Sequence, residues 1–128
     1  MTDLRQVATE VVTEVASSGD VDRLDAWVAA DVVDHQPGQA DVGLTEMKAA
    51  IVGLHQVVEE IGCTVEDTVV EDDRVLVRWD LRGKAREGHP ELPAGAPVHF
   101  TGMALFRFAD GRIVERWVNR NEEREENQ

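Results

Sequence analysis

The spacing of apolar residues changes period once along this chain, near Gly62, and that single change restricts the folds open to it. Before Gly62 the pattern is helical. Leu4, Val7, Ala8, Val11, Val12 and Val15 form one stripe, with Thr2 placed to cap it and Ser17-Ser18-Gly19 to end it. Asp20 can cap a shorter helix with Val21, Leu24, Trp27 and Val28 on its apolar face. Val32-Val33-Asp34-His35 then reads as extended, and Pro37-Gly38 as a turn. Leu44, Met47, Ile51, Leu54, Val58 and Ile61 predict a third helix, starting at Thr45 and stopped by Gly62. After Gly62 the pattern alternates. Strands are expected over Thr64 to Glu71 and Arg74 to Arg82, with a turn at Asp72-Asp73. A Pro- and Gly-containing loop follows from Gly83 to Ala96, and two long strands flank Asp110-Gly111, a strong hairpin signal. Helices first and an antiparallel sheet afterwards define an α+β domain.

The 128 residues suffice for one core without disulfides or a structural metal, so residues 1–121 are read as a single domain. Residues 122–128, rich in glutamate and lacking an apolar face, read as a solvated, disordered tail. A net charge of −13 argues against nucleic acid or an anionic membrane surface as partner. No apolar run approaches the roughly 20 residues of a membrane span, and no signal-peptide pattern opens the chain, so a cytoplasmic protein is expected. Cys63, the only cysteine, has no partner for a disulfide or a thiolate site. His35, His55, His89 and His99 are too scattered to supply a paired ligand motif, so no metal is expected.

Strand parity gives a candidate binding face. If pairing runs back without interruption from a two-residue Asp110-Gly111 turn, Phe108 faces Ile113, Phe106 faces Glu115, Ala104 faces Trp117 and Gly102 faces Asn119. One face then carries Phe100, Gly102, Ala104, Phe106, Phe108, Ile113, Glu115, Trp117, Asn119 and Asn121, a mixture of aromatic, small and amide groups suited to a small hydrophobic molecule. Trp117 fits either a core indole or a ligand contact, and Trp79 and Trp27 fit core positions as well as pocket walls. The opposite face carries His99, Thr101, Met103, Leu105, Arg107, Val114, Arg116, Val118 and Arg120, a composition that suits a homodimer interface. One β-bulge would exchange the two faces beyond it.

Several segments in this order resemble the SnoaL-like polyketide cyclases of the nuclear-transport-factor-2-like (NTF2-like) superfamily. They are Asp31-Val32-Val33-Asp34-His35-Gln36-Pro37, Gly43, Asp73-Arg74-Val75-Leu76-Val77-Arg78-Trp79, Pro93-Ala94-Gly95 and the run Phe106 to Trp117. The resemblance implies a cone in which N-terminal helices pack on a curved sheet around a pocket. It also implies either a cyclase or isomerase that works on a polyketide-like carbonyl compound without a cofactor, or a non-catalytic small-molecule-binding domain. Family members that close rings carry a carboxylate base four residues after the tryptophan, and here that position is Asn121, an amide that can hold an oxygen but cannot take a proton. His35 is then the expected proton-moving group, its alternative being a histidine that satisfies loop hydrogen bonds. The substrate-binding residues expected beside His35 and Asn121 are Trp117, Asn119, Phe100, Phe106, Trp79 and Trp27.

Overall fold

The computed structural model describes residues 3–123. Helix α1 is formed by Leu4–Glu10, a π-helical turn Val11–Val15 and Ala16–Ser18. Asp3 caps it by accepting from the Gln6 N–H; Thr2, the expected cap, lies outside the described residues. The Thr13 hydroxyl donates to the Thr9 carbonyl at 2.9 Å inside the π-helical turn, a side-chain bond that competes with the regular helical ladder there. Gly19, at φ +75°, ends the helix in the left-handed conformation that glycine adopts without penalty.

A 3-10 turn, Val21–Arg23, leads into the short helix α2, Leu24–Trp27, and strand β1, Val28–His35, follows directly. Helix α3 spans Leu44–Val57, and the Glu46 carboxylate accepts from the Gly43 N–H at its start. The helix ends four residues earlier than Gly62 suggests, because Val58 already pairs with Ala85 in strand β2, Val58–Glu71. The periodic Val58 and Ile61 belong to that strand. The irregularity between Glu59 and Gly62, where Glu60 takes φ +55°, explains how they imitate helical spacing. Strands β3, Arg74–Ala85, β4, Pro97–Ala109, and β5, Arg112–Glu122, complete a five-stranded sheet in the order β1-β5-β4-β3-β2. Four strands are antiparallel, as expected, and β1 adds to β5 in parallel, so the sheet is mixed. Among the described residues no helix is long and apolar enough to cross a membrane.

Helices α1, α2 and α3 cover one face of the sheet, here the inner face. Val75, Val77, Phe106 and Ile113 are wholly buried there against Ala8, Val15 and Leu24 of the helices. Burying Phe106 alone is worth about 1.5–3 kcal/mol. Helix α3 packs on β1 and β2, the two edges of the sheet. A single helix reaches both edges only if the sheet curls beneath it. The inner face of the middle strands therefore looks into the space that α3 bridges, the cone expected from the sequence.

Candidate functional site

The pairing expected from parity holds for the first step of the β4–β5 hairpin and then fails. Phe108 faces Ile113, but Arg107 faces Glu115, which leaves Val114 without a partner. This bulge reverses every residue of β5 beyond it. Phe106 pairs with Arg116, Ala104 with Val118, Gly102 with Arg120 and Phe100 with Glu122, and cross-strand partners share a face. The inner face of β5 thus carries Arg116, Val118, Arg120 and Glu122. Glu115, Trp117, Asn119 and Asn121 lie on the outer face, opposite to the expectation, and Arg116, Val118 and Arg120 leave the surface assigned to a dimer. The β4 residues keep their expected sides.

The residues expected to form one site are therefore divided. Phe100, Phe106 and Trp79 belong to the inner face, and Trp27 packs beside the core below it. Phe106 is fully buried and serves as packing. Trp79 pairs with Gly102 and lays its indole over that glycine: a Cβ there would sit 2.5 Å from the Trp79 ring and 2.4 Å from the Asn119 carbonyl oxygen. The space left by the small residue is thus partly filled by the tryptophan. Trp79, Phe100, Val118 and Arg116 nevertheless remain half-buried, as do Leu44, Ile51 and Leu54 on α3.

One ion pair stands in this apolar setting. Asp34 is fully buried, and its two carboxylate oxygens accept from Arg116 Nε and Nη2, each at 2.7 Å, while Gln36 donates at 2.9 Å. Burial alone would raise the Asp34 pKa, but the bidentate Arg116 bonds, its charge, Gln36 and nearby His35 outweigh that and hold it below the ordinary value. Asp34 is thus an ionised anchor closed to solvent. Among the described residues no hydrogen bond engages Arg116 Nη1, and the side chain is 19% exposed. Arg120 lies over the Phe100 ring at 5.0 Å, one inner-face position before Glu122.

His35 sits on the outer face, stacked on Trp117 with ring centres 5.0 Å apart and planes 17° apart. Its Nε2 meets Glu115 at 2.6 Å and its Nδ1 meets Asp41 at 2.9 Å. Glu115 also accepts from Arg107 at 2.9 Å, and Arg74 covers the Trp117 ring at 5.6 Å. Hydrogen bonding to Glu115 raises the His35 pKa; burial opposes it, and the Asp41 hydrogen bond and the two carboxylate charges add to the rise, while His35 and Arg107 lower the pKa of Glu115. A carboxylate at each nitrogen favours the imidazolium form of the ring, and the two bonds clamp the Gln36–Asp41 loop to the sheet. Trp117 and Asn119 border a depression of about 440 Å³ on this face together with His35, Leu76, Met103 and Leu105. Asn121 lies four residues beyond Trp117, His35's partner, or roughly 13 Å along the strand, so the two expected catalytic residues do not meet. Cys63 is buried, and burial with Asp80 nearby pushes its thiol up to about 12, which leaves it inert.

Arg116, Arg120 and Glu122 were absent from the expected site because β5 was read without its bulge. The Asp34–Arg116 pair carries 82 residues of separation and has no local signature.

The comparisons with known proteins agree with this architecture. Among solved structures, IdmH of Streptomyces antibioticus, a candidate polyketide cyclase, superposes with a TM-score of 0.83 at 26% identity, over 93% of this chain and 92% of that one. AclR of Streptomyces galilaeus, a candidate hydroxylase, gives 0.81 at 20% identity over 92% and 78%. TsrD of Streptomyces laurentii gives 0.77 at 24% over 92% and 87%. At those lower identities the likeness shows the fold alone. No curated protein sequence matches the chain. The SnoaL-like polyketide cyclase model, however, matches residues 6–127, almost the whole length, and the chain therefore belongs to the SnoaL-like polyketide cyclase family.

Proposed function

We propose that this protein binds a polyketide-like carbonyl compound in the cleft between α3 and the inner face of the sheet. There it acts as a cyclase or isomerase that needs no cofactor, in the cytoplasm. The observation that carries this reading is the inner wall itself: half-buried Trp79, Phe100 and Val118 beneath a bridging helix, with two cations, Arg116 and Arg120, on the same strand. Apolar walls with a few placed charges are what a largely hydrophobic ligand with polar oxygens requires.

In this reading Arg120 polarises a carbonyl oxygen, and Glu122, the next inward position, takes the proton from the adjacent carbon. The enolate carbon forms its bond to a second carbonyl carbon of the same molecule, and the oxygen released from that double bond recovers the proton from Glu122. An isomerase would instead return the proton to a different carbon. Arg116 Nη1 anchors a distal oxygen, oriented by Asp34. His35 acts as the clamp of the Gln36–Asp41 loop. The test is α-proton exchange of 1,3-diphenylpropane-1,3-dione in D₂O, followed by NMR. Exchange should be accelerated by the protein and lost in Glu122→Gln and Arg120→Met variants that remain folded; no acceleration would remove the enzymatic reading.

A specific observation favours the second reading, a non-catalytic binding domain: Asn121 replaces the carboxylate of the ring-closing relatives, and Asp34 is sealed from the cleft. That domain would bind the diketone without accelerating exchange. In either case the outer face, with Leu76, Leu105 and the 45% exposed Met103, is the proposed homodimer contact. Sedimentation showing only a 14.2 kDa species would refute it.

A further inference from the structure

The loop 86–96 joins β3 to β4 at the Phe100 end of the inner cleft, and its two feet are fixed. The Ala85 N–H donates to the Ala96 carbonyl at 2.9 Å, and the Gly95 N–H donates to the Ala85 carbonyl at 2.8 Å. Arg86 ties the first foot to the end of α3: its backbone N–H donates to the Val57 carbonyl at 2.8 Å and its Nε to the His55 carbonyl at 2.9 Å. A further ion pair joins Arg86 to Glu59 at 3.2 Å. Between these feet one apolar side chain points back to the protein. Leu92 packs with Phe100, Leu54 and Ile61 around buried Val58, Ala85 and Val98.

Leu92 is held there by a histidine rather than by the regular backbone. The N–H groups of Glu91 and Leu92 both donate to His89 Nδ1, each at 3.0 Å. A ring nitrogen that accepts two bonds carries no proton, so the His89 proton resides on Nε2. The side chain thereby caps the turn after Pro90 and fixes the direction of Leu92. Phe100, a wall of the proposed cleft, and Leu92 pack against the same buried cluster, which places Leu92 at the Phe100 end of that cleft.

We infer that Leu92 is the specificity-determining residue that sets how long a substrate the cleft accepts, and that His89 is the positioning residue that holds it. This inference rests on the inner-cleft reading of the proposed function. The probes are phenyl alkyl ketones of increasing chain length, acetophenone to decanophenone. Their affinities are measured by displacement of Nile red, and their location by quenching of Trp79 emission, obtained from the difference between the native protein and Trp79→Phe.

In the native protein affinity should rise about fourfold per added methylene and then stop rising where the tail reaches Leu92. Leu92→Ala should move that limit about two methylenes longer, and Leu92→Phe should move it shorter. His89→Ala should blur the limit and speed hydrogen exchange of the Glu91 and Leu92 amides. His89→Asn, whose side-chain oxygen stands where Nδ1 does, should restore both. If the ketones quench Trp79 but the length limit is the same in all Leu92 variants, Leu92 is only a packing residue and the inference fails while the cleft reading stands. If no ketone quenches Trp79, the cleft reading itself fails.

Discussion

Removing Arg116 should cost this fold far more than removing its partner, and the asymmetry follows from the solvent each side chain can reach. Asp34 is 0% exposed and Arg116 is 19% exposed, with two bonds of 2.7 Å between them. In Arg116→Met the carboxylate loses both bonds and the cation that offset its burial, and keeps only Gln36 at 2.9 Å. An uncompensated buried charge costs about 3–5 kcal/mol. For a chain of 128 residues this corresponds to a fall in Tm of about 10–20 °C. Asp34→Asn leaves the exposed part of the guanidinium free to take water, and should cost about 1–2 kcal/mol.

The pH dependence provides a second handle on the same pair. In the native protein Asp34 is lowered below 3.8, so its contribution is present at neutral pH and lost as pH falls through the folded value. In Arg116→Met burial should raise that pKa instead, and the deficit relative to the native protein should grow as pH increases above about 4. The double variant Asp34→Leu, Arg116→Met should recover most of the loss, since no buried charge remains. Urea unfolding of the four proteins between pH 4 and 8 measures all of these. A loss under about 1 kcal/mol in Arg116→Met, independent of pH, would refute the reasoning.

Three further outcomes are expected. His35 is raised by Glu115 and Asp41, so its stabilisation is complete below 6.5 and lost as pH rises through the folded value, whereas Glu115 contributes above 4.5 and fails on acidification. Tm should therefore be highest between those limits, and His35→Gln should lie below the native protein at pH 6 and converge with it in alkali. Gly102→Ala should destabilise by about 2–3 kcal/mol in denaturant titration, and Trp79→Leu should not rescue it, because the nearer obstacle is the Asn119 backbone oxygen at 2.4 Å. Deleting Val114, the residue of β5 left over at the bulge, keeps Ile113 against Phe108 and Glu115 against Arg107, so Arg116, Val118 and Arg120 stay on the inner face and near-UV circular dichroism should remain native-like; loss of fixed tertiary packing would contradict the register.

The fold was legible from the sequence because period and turn chemistry act locally. The change of spacing near Gly62 separates helices from strands. At Asp110-Gly111 both turn residues take positive φ, +52° and +80°, as the hairpin reading requires. The ends of α3 and the parallel addition of β1 were not legible, since both depend on pairing with strands far along the chain: Val58 with Ala85, and His35 with Trp117.

The candidate site was half legible for one physical reason. Residues of β4 kept the faces that alternation assigns, but Arg112 to Trp117 alternates smoothly and nothing in it marks Val114 as the unpaired residue. A bulge is decided by the partner strand, here by Arg107 taking Glu115 across the ladder. Every assignment on β5 beyond that point therefore changed sides, and His35, Trp117, Asn119 and Asn121 came to the outer face together. Asp41, six residues from His35, could be suspected locally; Glu115, 80 residues away, could not.

The central claim, that a carbonyl ligand lodges beneath α3 on the inner face, is tested most directly by photolabelling with benzophenone, itself a diaryl ketone, followed by mass-spectrometric mapping of the attachment sites. The inner-cleft account predicts labels on Trp79 or Phe100 and on Ile51 or Leu54 of α3. Labels confined to Leu76, Met103, Leu105 and Trp117 would place the ligand on the outer face and contradict it.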